Sequence, residues 1–158
     1  MNLLYYIGTR SGWDHNELRY SIRSAEKWDY VDSVTVAGYC PHWLRPTLHV
    51  PMDDRTTYQH RNVAMKLKAA LNDPRCPSEF VLMCDDFYMV DVPDLRWRHC
   101  GLLSDTVARL NLSRAKSDAW RIMMNDLLAF LREADIPHPL SFATHTPFYM
   151  RRKDALIT

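Results

Sequence analysis

The amino-acid sequence predicts an α/β fold in a single domain that spans residues 1–158. Residues 80–83 form a continuous apolar run, which is the pattern of a strand buried on both faces of a sheet. The first 50 residues are predicted in the order strand, helix, strand, strand, which suits a nucleotide-binding α/β unit, and a second helix follows before this run. A chain of 158 residues is long enough to bury a substantial core, and no repeat, low-complexity tract or linker divides it.

The composition is that of an ordinary globular protein and argues against several functional classes. Hydrophobic residues make up 47% of the chain and charged residues 25%, and the formal net charge of +1 argues against a dedicated polyanion-binding protein. No apolar run is long enough to cross a bilayer and the first residues lack a signal-peptide pattern, so we expect no membrane span and a cytoplasmic location. The four cysteines are scattered without a C-x-x-C pair, which favours reduced, buried thiols.

Five strands are predicted from short runs of apolar and β-branched residues. They are expected at residues 2–7, 33–37, 48–50, 80–83 and 141–144. Glycine follows the first two runs and proline follows the third, so each of these strands has a defined end.

Three helices are predicted from apolar residues that recur at helical spacing. The first is expected from about Asp14 to Trp28 with Asp14 or Asn16 as its cap, the second from about Tyr58 to Asn72, and the third from 117–118 to about Ala134. The residues expected to face the core are Leu18, Ile22 and Ala25 in the first helix, Val63, Leu67, Ala70 and Leu71 in the second, and Trp120, Met123, Leu127, Phe130 and Leu131 in the third.

Asp85 and Asp86 directly follow the fourth predicted strand and precede another apolar run. An open α/β sheet binds its ligands beyond the carboxyl ends of its strands, which is where this acidic pair is expected. Two adjacent carboxylates between apolar runs are costly to desolvate unless a cation or hydrogen-bond donors meet them. A hard divalent cation with a phosphate-bearing ligand is one natural partner, and a solvated turn that bonds nearby amides is the alternative.

Other polar features are open to a structural or a functional interpretation. The loop at residues 8–12 carries two glycines, two hydroxyls and Arg10 but matches no phosphate-binding motif, so it either lies close to a nucleotide or is a plain strand-to-helix connection. Asn62 and Lys66 share one helix face and would either contact a phosphate or sugar or decorate the surface. Residues 96–99 form a basic and aromatic cluster that would either contact an acceptor or form a solvated loop.

Three blocks of residues, taken in order along the chain, carry a family resemblance. Residues 16–24 (N-E-L-R-Y-S-I-R-S), 41–44 (P-H-W-L) and 85–87 (D-D-F) resemble the central region of the Stealth family of hexose-1-phosphate transferases. The same set is similar to small glycosyltransferase-like proteins of tailed bacteriophages, and residues 145–147 (H-T-P) resemble a histidine-proline element of both groups. Cys84 departs from the family pattern, which often has asparagine before the two aspartates.

The resemblance implies a Rossmann-like, GT-A-type fold with a mixed, mainly parallel sheet flanked by helices. It also implies a site for a nucleotide sugar and a divalent metal, Mn²⁺ or Mg²⁺. In that site Asp86 would be the direct metal ligand, with Asp85 beside it toward ribose or a metal-bound water. His145 resembles the histidine that completes the metal site in many GT-A enzymes.

Further donor-site residues follow from the same resemblance. Asn16, Arg19 and Arg23 would lie near the donor as members of the first motif block, and Asn62 resembles the asparagine on the helix before the acidic strand. Together with the loop and Lys66, the predicted donor-binding residues are Gly8, Thr9, Arg10, Asn16, Arg19, Asn62, Lys66 and Asp85. The catalytic base is left open, because Asp53, Asp54 and Asp91 are equally possible.

The favoured function is a metal-dependent glycosyltransferase that uses a nucleotide-sugar donor, with a UDP-sugar expected. One alternative is a sugar-1-phosphate phosphotransferase of the Stealth type, which would move the phosphate together with the sugar. Another alternative is a non-catalytic relative that only binds a nucleotide sugar. The acceptor is left open between DNA with modified bases, a glycan and a protein, and a phage-encoded chain would act in the host cytoplasm.

Overall fold

The computed structural model of the chain describes residues 1–9, 14–90, 100–113, 118–141 and 147–155. These residues form two compact units: the first combines the described parts of 1–96 and 146–158, and the second is the described part of 97–145. Each unit has a hydrophobic core of its own. The prediction of one domain over the whole chain stays a prediction.

The first unit is built on a five-stranded sheet. Its strands are β1 (Asn2–Ile7), β2 (Ser33–Gly38), β3 (Leu48–Val50), β4 (Glu79–Met83) and β5 (Phe148–Arg151). Their order across the sheet is β3-β2-β1-β4-β5. The pairs β1–β2, β1–β4 and β2–β3 are parallel and the pair β4–β5 is antiparallel, so the predicted mixed, mainly parallel sheet is confirmed.

The last strand differs from the prediction. Residues 141–144 are predicted to form it, but Ser141 is not in a strand and 142–144 lie outside the described residues. The strand that completes the sheet is β5, which pairs with β4 from Glu79↔Arg151 to Leu82↔Phe148. Phe148, Tyr149 and Met150 form a short aromatic and apolar run that favours a strand, and backbone hydrogen bonds to β4 hold it at the edge of the sheet.

Two helices of the first unit pack on opposite faces of the sheet. α1 (Asn16–Ala25) packs on the face that carries Tyr5 of β1, and α2 (Gln59–Asn72) packs on the face that carries Leu4. This arrangement follows from the two-residue period of a strand, which sends neighbouring side chains of β1 to opposite faces.

α1 begins after a residue in the left-handed backbone conformation. His15 has a φ of 55° and precedes the helix without a capping hydrogen bond from its side chain. The predicted cap at Asp14 or Asn16 is therefore wrong, because the left-handed turn at His15 sets the entry of the chain. The predicted core residues of this helix are all buried: Leu18, Ile22 and Ala25. Burial of each of the two larger side chains stabilises the fold by about 2 kcal/mol.

The inner face of α2 is more polar than predicted. Ala70 and Leu71 are buried as expected, whereas Val63 and Leu67 are only half-buried. The other buried positions of this helix are Asn62 and Lys66, which lie one turn apart. Two buried polar side chains on one helix face require partners, and these partners define the candidate site described below.

The second unit contains two helices, α3 (Leu103–Leu112) and α4 (Asp118–Glu133), and the third predicted helix is α4. α3 was not predicted. The core between them consists of Leu103, Val107, Leu110, Met124 and Leu128. The predicted inner residues Leu127 and Phe130 are 40% and 65% exposed, so that part of the prediction is wrong, because the buried positions of α4 lie one residue away at Met124 and Leu128.

A one-turn helix, α5 (Arg152–Ala155), follows β5 in the first unit. Among the described helices, none combines the length with the apolar character that a bilayer span requires. This agrees with the absence of such a run in the sequence.

Candidate functional site

The strand order places a topological switch point between β1 and β4. The chain moves from β1 to β2 and β3 on one side, and returns on the other side of β1 as β4. Both neighbours run parallel to β1, so a crevice is expected at the carboxyl ends of β1 and β4, where the connections diverge. Gly8 follows β1, and Asp85 and Asp86 follow β4 within two to three residues, so the fold brings these predicted site residues to one edge.

A cavity of about 360 Å³ lies at this edge. Its wall is formed by the end of β1, the loop before α2, the first turns of α2 and the segment after β4. The lining residues are Tyr6, Gly8, Asp54, Thr56, Thr57, Gln59, Asn62, Val63, Lys66 and Asp85. Four predicted donor-binding residues (Gly8, Asn62, Lys66 and Asp85) therefore share one cavity, and Asp86 is exposed next to Asp85.

Lys66 is a buried cation with a carboxylate partner. Its side chain is 3% exposed, and its Nζ forms an ion pair with Oδ1 of Asp54, whose side chain is 19% exposed. The second carboxylate oxygen of Asp54 accepts hydrogen bonds from the backbone N–H and the hydroxyl of Thr9, both at 3.1 Å. A buried ammonium group is costly unless it is paired, so Asp54 is what allows Lys66 to face inward. The alternative that Lys66 decorates the surface is wrong.

Asn62 holds the loop that carries Asp54. Its Oδ1 accepts hydrogen bonds from the backbone N–H groups of Arg55 and Thr56, both at 3.1 Å. Its Nδ2 donates to the carbonyl of Thr56 at 2.8 Å. The carboxamide is thus bound to backbone at both ends, and a ligand in the cavity would meet the loop that Asn62 orders. A donor contact by Asn62 itself stays a prediction.

Asp54 was one of three open candidates for a catalytic base, and sequence reasoning did not connect it with Lys66. A signal was present, because Asp54 lies four residues after β3 and therefore at the same sheet edge as the acidic pair. The identity of its partner depends on α2, since only the folded helix turns Lys66 toward the loop.

The acidic pair combines a half-buried and an exposed carboxylate. Burial raises the pKa of Asp85, and the charge of Asp86 raises it further, although nearby backbone amides and His15 oppose the increase. Cys84, which departs from the family pattern, contacts the hydroxyl of Tyr6 through its Sγ at 2.6 Å. Burial raises the pKa of Cys84, so the thiol stays protonated at neutral pH beside the two carboxylates.

Two serines of α1 fix the segment that follows the acidic pair. Ser21 is fully buried, lies 3.0 Å from the hydroxyl of Tyr5 and donates to the carbonyl of Phe87. Ser24 accepts a hydrogen bond from the backbone N–H of Met89 at 2.7 Å. Because both hydroxyls point from a helix packed on the sheet, they set the path of the chain beyond Asp85.

The remaining members of the first motif block lie outside the cavity wall. The guanidinium carbon of Arg19 lies 4.7 Å from the ring centroid of Trp43, a cation–π contact between the first and second motif blocks. His15 stacks on Tyr39 with ring centroids 4.7 Å apart. Asn16 and Arg19 are not among the residues that line the cavity, so their role in donor binding stays a prediction.

Arg10, His145 and the basic cluster 96–99 lie outside the described residues. Within the part of the chain that the structure describes, no group of three histidine, cysteine or acidic side chains is arranged to hold a metal ion. The acidic pair nevertheless fits a hard divalent cation. Asp85 and Asp86 would supply oxygen ligands, and a cation would offset the repulsion and burial that raise the pKa of Asp85.

No protein-family model matches the chain, and a search of curated proteins finds none with significant similarity. The resemblance to Stealth-family and phage glycosyltransferase-like proteins therefore stays a hypothesis that depends on the motif blocks. In the folded chain these blocks touch one another. Arg19 of the first block contacts Trp43 of the second, and Ser21 of the first contacts Phe87 of the third.

The pair formed by Lys66 and Asp54 should make stability depend on pH. Partial burial raises the pKa of Asp54, but hydrogen bonds from Lys66 and Thr9 outweigh it, and the pKa lies below the ordinary 3.8. A carboxyl whose pKa is lowered by folding stabilises the fold above its unfolded pKa, and this contribution is lost as pH falls through the folded pKa.

We therefore expect Asp54→Asn to lower the free energy of unfolding by about 3 kcal/mol at neutral pH, because the ammonium of Lys66 loses its partner. The difference from the unsubstituted protein should shrink once the pH falls below the ordinary value of 3.8. Urea denaturation at about pH 7 and about pH 3 measures both quantities. Asp53→Asn, at an exposed neighbour, serves as the control and should change little at either pH. A difference that is independent of pH would contradict this interpretation of the pair.

Proposed function

We propose that this protein is a metal-dependent glycosyltransferase that binds a nucleotide-sugar donor, with a UDP-sugar expected, in the cavity at the switch point. The observation that carries the proposal is that Gly8, Lys66 and Asp85 line one cavity at the carboxyl ends of β1 and β4. Crevices at this position are where open α/β sheets bind nucleotides. The cavity volume of about 360 Å³ lies within the range of small-molecule sites.

The charges of the cavity favour a donor that arrives with a cation. Asp54 and Asp85 contribute two carboxylates to the wall, and Lys66 contributes one ammonium group. A diphosphate would meet net negative charge there, so its binding calls for a divalent cation between phosphate and protein. Asp85 and Asp86 would hold this cation. The cation would stabilise the negative charge that develops on the diphosphate as the sugar departs.

The residues of the chain itself contribute binding and orientation. Gly8 leaves the end of β1 without a side chain, which lets a ligand approach the backbone closely. Half-burial of Asp85 removes part of its water shell, which strengthens its interaction with a cation or a ribose hydroxyl. Hydrogen bonds from Ser21 and Ser24 restrain the segment after the acidic pair, so the carboxylates need not be ordered when the donor binds.

Nucleotide sugars are expected to stabilise the protein against heat when Mn²⁺ is present and not in EDTA. A ligand at about 100 times its Kd stabilises the folded state by about 2.7 kcal/mol, which shifts Tm by several degrees. UDP-, GDP-, CDP- and dTDP-sugars are compared by differential scanning fluorimetry. Asp85→Asn should lose the shift in Tm and Asp53→Asn should keep it. If none of these donors stabilises the unsubstituted protein, the proposal is contradicted.

The reaction class is tested with a donor labelled in both the sugar and the β-phosphate. A glycosyltransferase leaves both phosphates on the nucleoside, and slow hydrolysis without acceptor yields free sugar and nucleoside diphosphate. A phosphotransferase instead releases nucleoside monophosphate and keeps the β-phosphate on the sugar. Stabilisation by the donor without either product would indicate a protein that only binds nucleotide sugars.

A further inference from the structure

Three hydrogen-bond donors converge on the carboxylate of Asp54 at the end of β1. The ammonium group of Lys66 pairs with Oδ1, and the backbone N–H and the hydroxyl of Thr9 both donate to Oδ2 at 3.1 Å. An ammonium group, a backbone amide and a hydroxyl around one anion are the groups with which proteins commonly bind phosphate. A carboxylate of the protein itself therefore lies within a set of donors suited to a phosphate.

Gly8 locates this donor set within the cavity. A Cβ atom on Gly8 would lie 3.4 Å from Oδ2 of Asp54 and 3.9 Å from Nζ of Lys66, so the ion pair lies directly over the backbone at the end of β1. Gly8, Asp54 and Lys66 all line the cavity. A phosphate that entered the crevice would reach the donors at the place that the carboxylate now fills.

We propose that Thr9 and Lys66 form a phosphate subsite, and that the carboxylate of Asp54 fills this subsite until a ligand phosphate replaces it. The inference rests on the proposed function, because the phosphate would belong to the diphosphate of the donor. The exchange keeps Lys66 paired throughout, so its buried ammonium group is never left without a counter-charge.

The position of Asp54 in the fold suits such an exchange. It lies between β3 and α2 in a segment that belongs to neither a helix nor a strand, and its side chain is 19% exposed. Asn62 holds the backbone of the next two residues, Arg55 and Thr56, so the carboxylate can turn outward while the loop stays in place. Rotation about two side-chain bonds is a small change compared with the movement of a whole loop.

Two roles of Asp54, positioning the donors and competing with the ligand, predict opposite effects of its removal on anion binding. If Asp54 served only to hold Lys66 and Thr9 in place, its removal would loosen the donors and weaken the binding of an anion. If it competes with the ligand, its removal frees the donors and strengthens binding, because the cost of displacing the carboxylate disappears. The sign of the change therefore separates the two roles.

The test is calorimetric titration with inorganic pyrophosphate in EDTA, which involves neither a metal nor a nucleotide. The unsubstituted protein should bind pyrophosphate weakly under these conditions, because no cation offsets the carboxylates of Asp54 and Asp85. Asp54→Asn should bind pyrophosphate about tenfold more tightly than the unsubstituted protein, the equivalent of one charge-assisted hydrogen bond. Asp85→Asn is the matched control, since it also removes a cavity carboxylate but frees none of these donors, and its gain should be clearly smaller. The double variant Asp54→Asn with Lys66→Met should lose the gain. An equal gain in both single variants, or a gain that survives loss of Lys66, would overturn the proposal.

A second comparison does not depend on the folding of Asp54→Asn. Lys66→Met should bind pyrophosphate about tenfold more weakly than Lys68→Met, which replaces an exposed lysine of the same helix. Equal affinities would overturn the subsite. If Mn²⁺ and UDP bind but these variants show no difference, the subsite is wrong and the proposed function stands. If the differences appear in a protein that no nucleotide sugar stabilises, the subsite stands and the proposed function is wrong.

Discussion

Replacing Asp86 by alanine is expected to abolish the binding of UDP in the presence of Mn²⁺, with a loss of affinity of about 100-fold or more. Changes in groups that merely orient a metal ligand cost about 10- to 100-fold, and a direct ligand should cost at least as much. Asp86 is exposed beside the half-buried Asp85, so a cation held by both would lie at the mouth of the cavity. Calorimetric titration of Mn²⁺ with and without UDP measures the effect.

The matched control is Asp53→Ala, because Asp53 is also exposed and is not among the residues that line the cavity. It should bind Mn²⁺ and UDP as the unsubstituted protein does. Asp85→Ala should weaken the binding of both together, since Asp85 is the member of the pair within the cavity wall. Unchanged binding in Asp86→Ala would remove Asp86 from the metal site.

Replacing Gly38 by alanine is expected to lower the free energy of unfolding by at least about 3 kcal/mol. Gly38 ends β2 with a φ of +106°, which alone costs a residue with a side chain about 1 kcal/mol or more. Its Cβ would also lie 2.3 Å from the carbonyl oxygen of Ile7 and 2.8 Å from Cε of Lys66. The first contact is with backbone of the central strand, so relief requires the sheet to shift.

Gly101→Ala separates the cost of backbone strain from the cost of the steric clash. Gly101 has a similar φ of +96°, but a Cβ there would meet nothing within 4 Å, so its substitution should cost only the backbone strain. Urea denaturation measures both variants, with backbone probes in each unit because the units need not unfold together. If Gly38→Ala lowers the free energy of unfolding no more than Gly101→Ala does, the side chain of Lys66 and the end of β1 move aside at little cost, which would contradict the prediction.

The local sequence pattern was sufficient to predict most of the helices and strands of the first unit. β1 to β4 and the two helices that cover the sheet were predicted because each carries an apolar pattern with the period of a strand or of a helix. Glycine and proline mark several of their ends. The sequence carries such a signal for α3 as well, since Leu103, Val107 and Leu110 recur at helical spacing. β5 also carried a signal, because Phe148 and Tyr149 favour strands, but the run is only four residues long.

The candidate site could be predicted only in outline. The placement of Asp85 and Gly8 at one sheet edge followed from the end of each strand, a local feature of the sequence. The burial of Lys66 could not be predicted, because lysine is rarely buried without a partner and that partner, Asp54, lies twelve residues away in a loop. The contacts of Arg19 with Trp43 and of Ser21 with Phe87 likewise depend on tertiary packing, although the residues involved belong to the motif blocks.

The position of the cation is tested most directly by NMR of the protein with Mn²⁺ and UDP, because Mn²⁺ broadens the signals of nearby amides. The strands rise by about 3.3 Å per residue, so the two ends of β1 are separated by more than about 15 Å. If the acidic pair holds the ion together with the nucleotide, the amide signals of Gly8, Asp85 and Asp86 should broaden first and those of Asn2 and Glu79, at the opposite edge of the sheet, last. Equal broadening at both edges, or none that depends on UDP, would contradict a cation and nucleotide site at the carboxyl ends of β1 and β4.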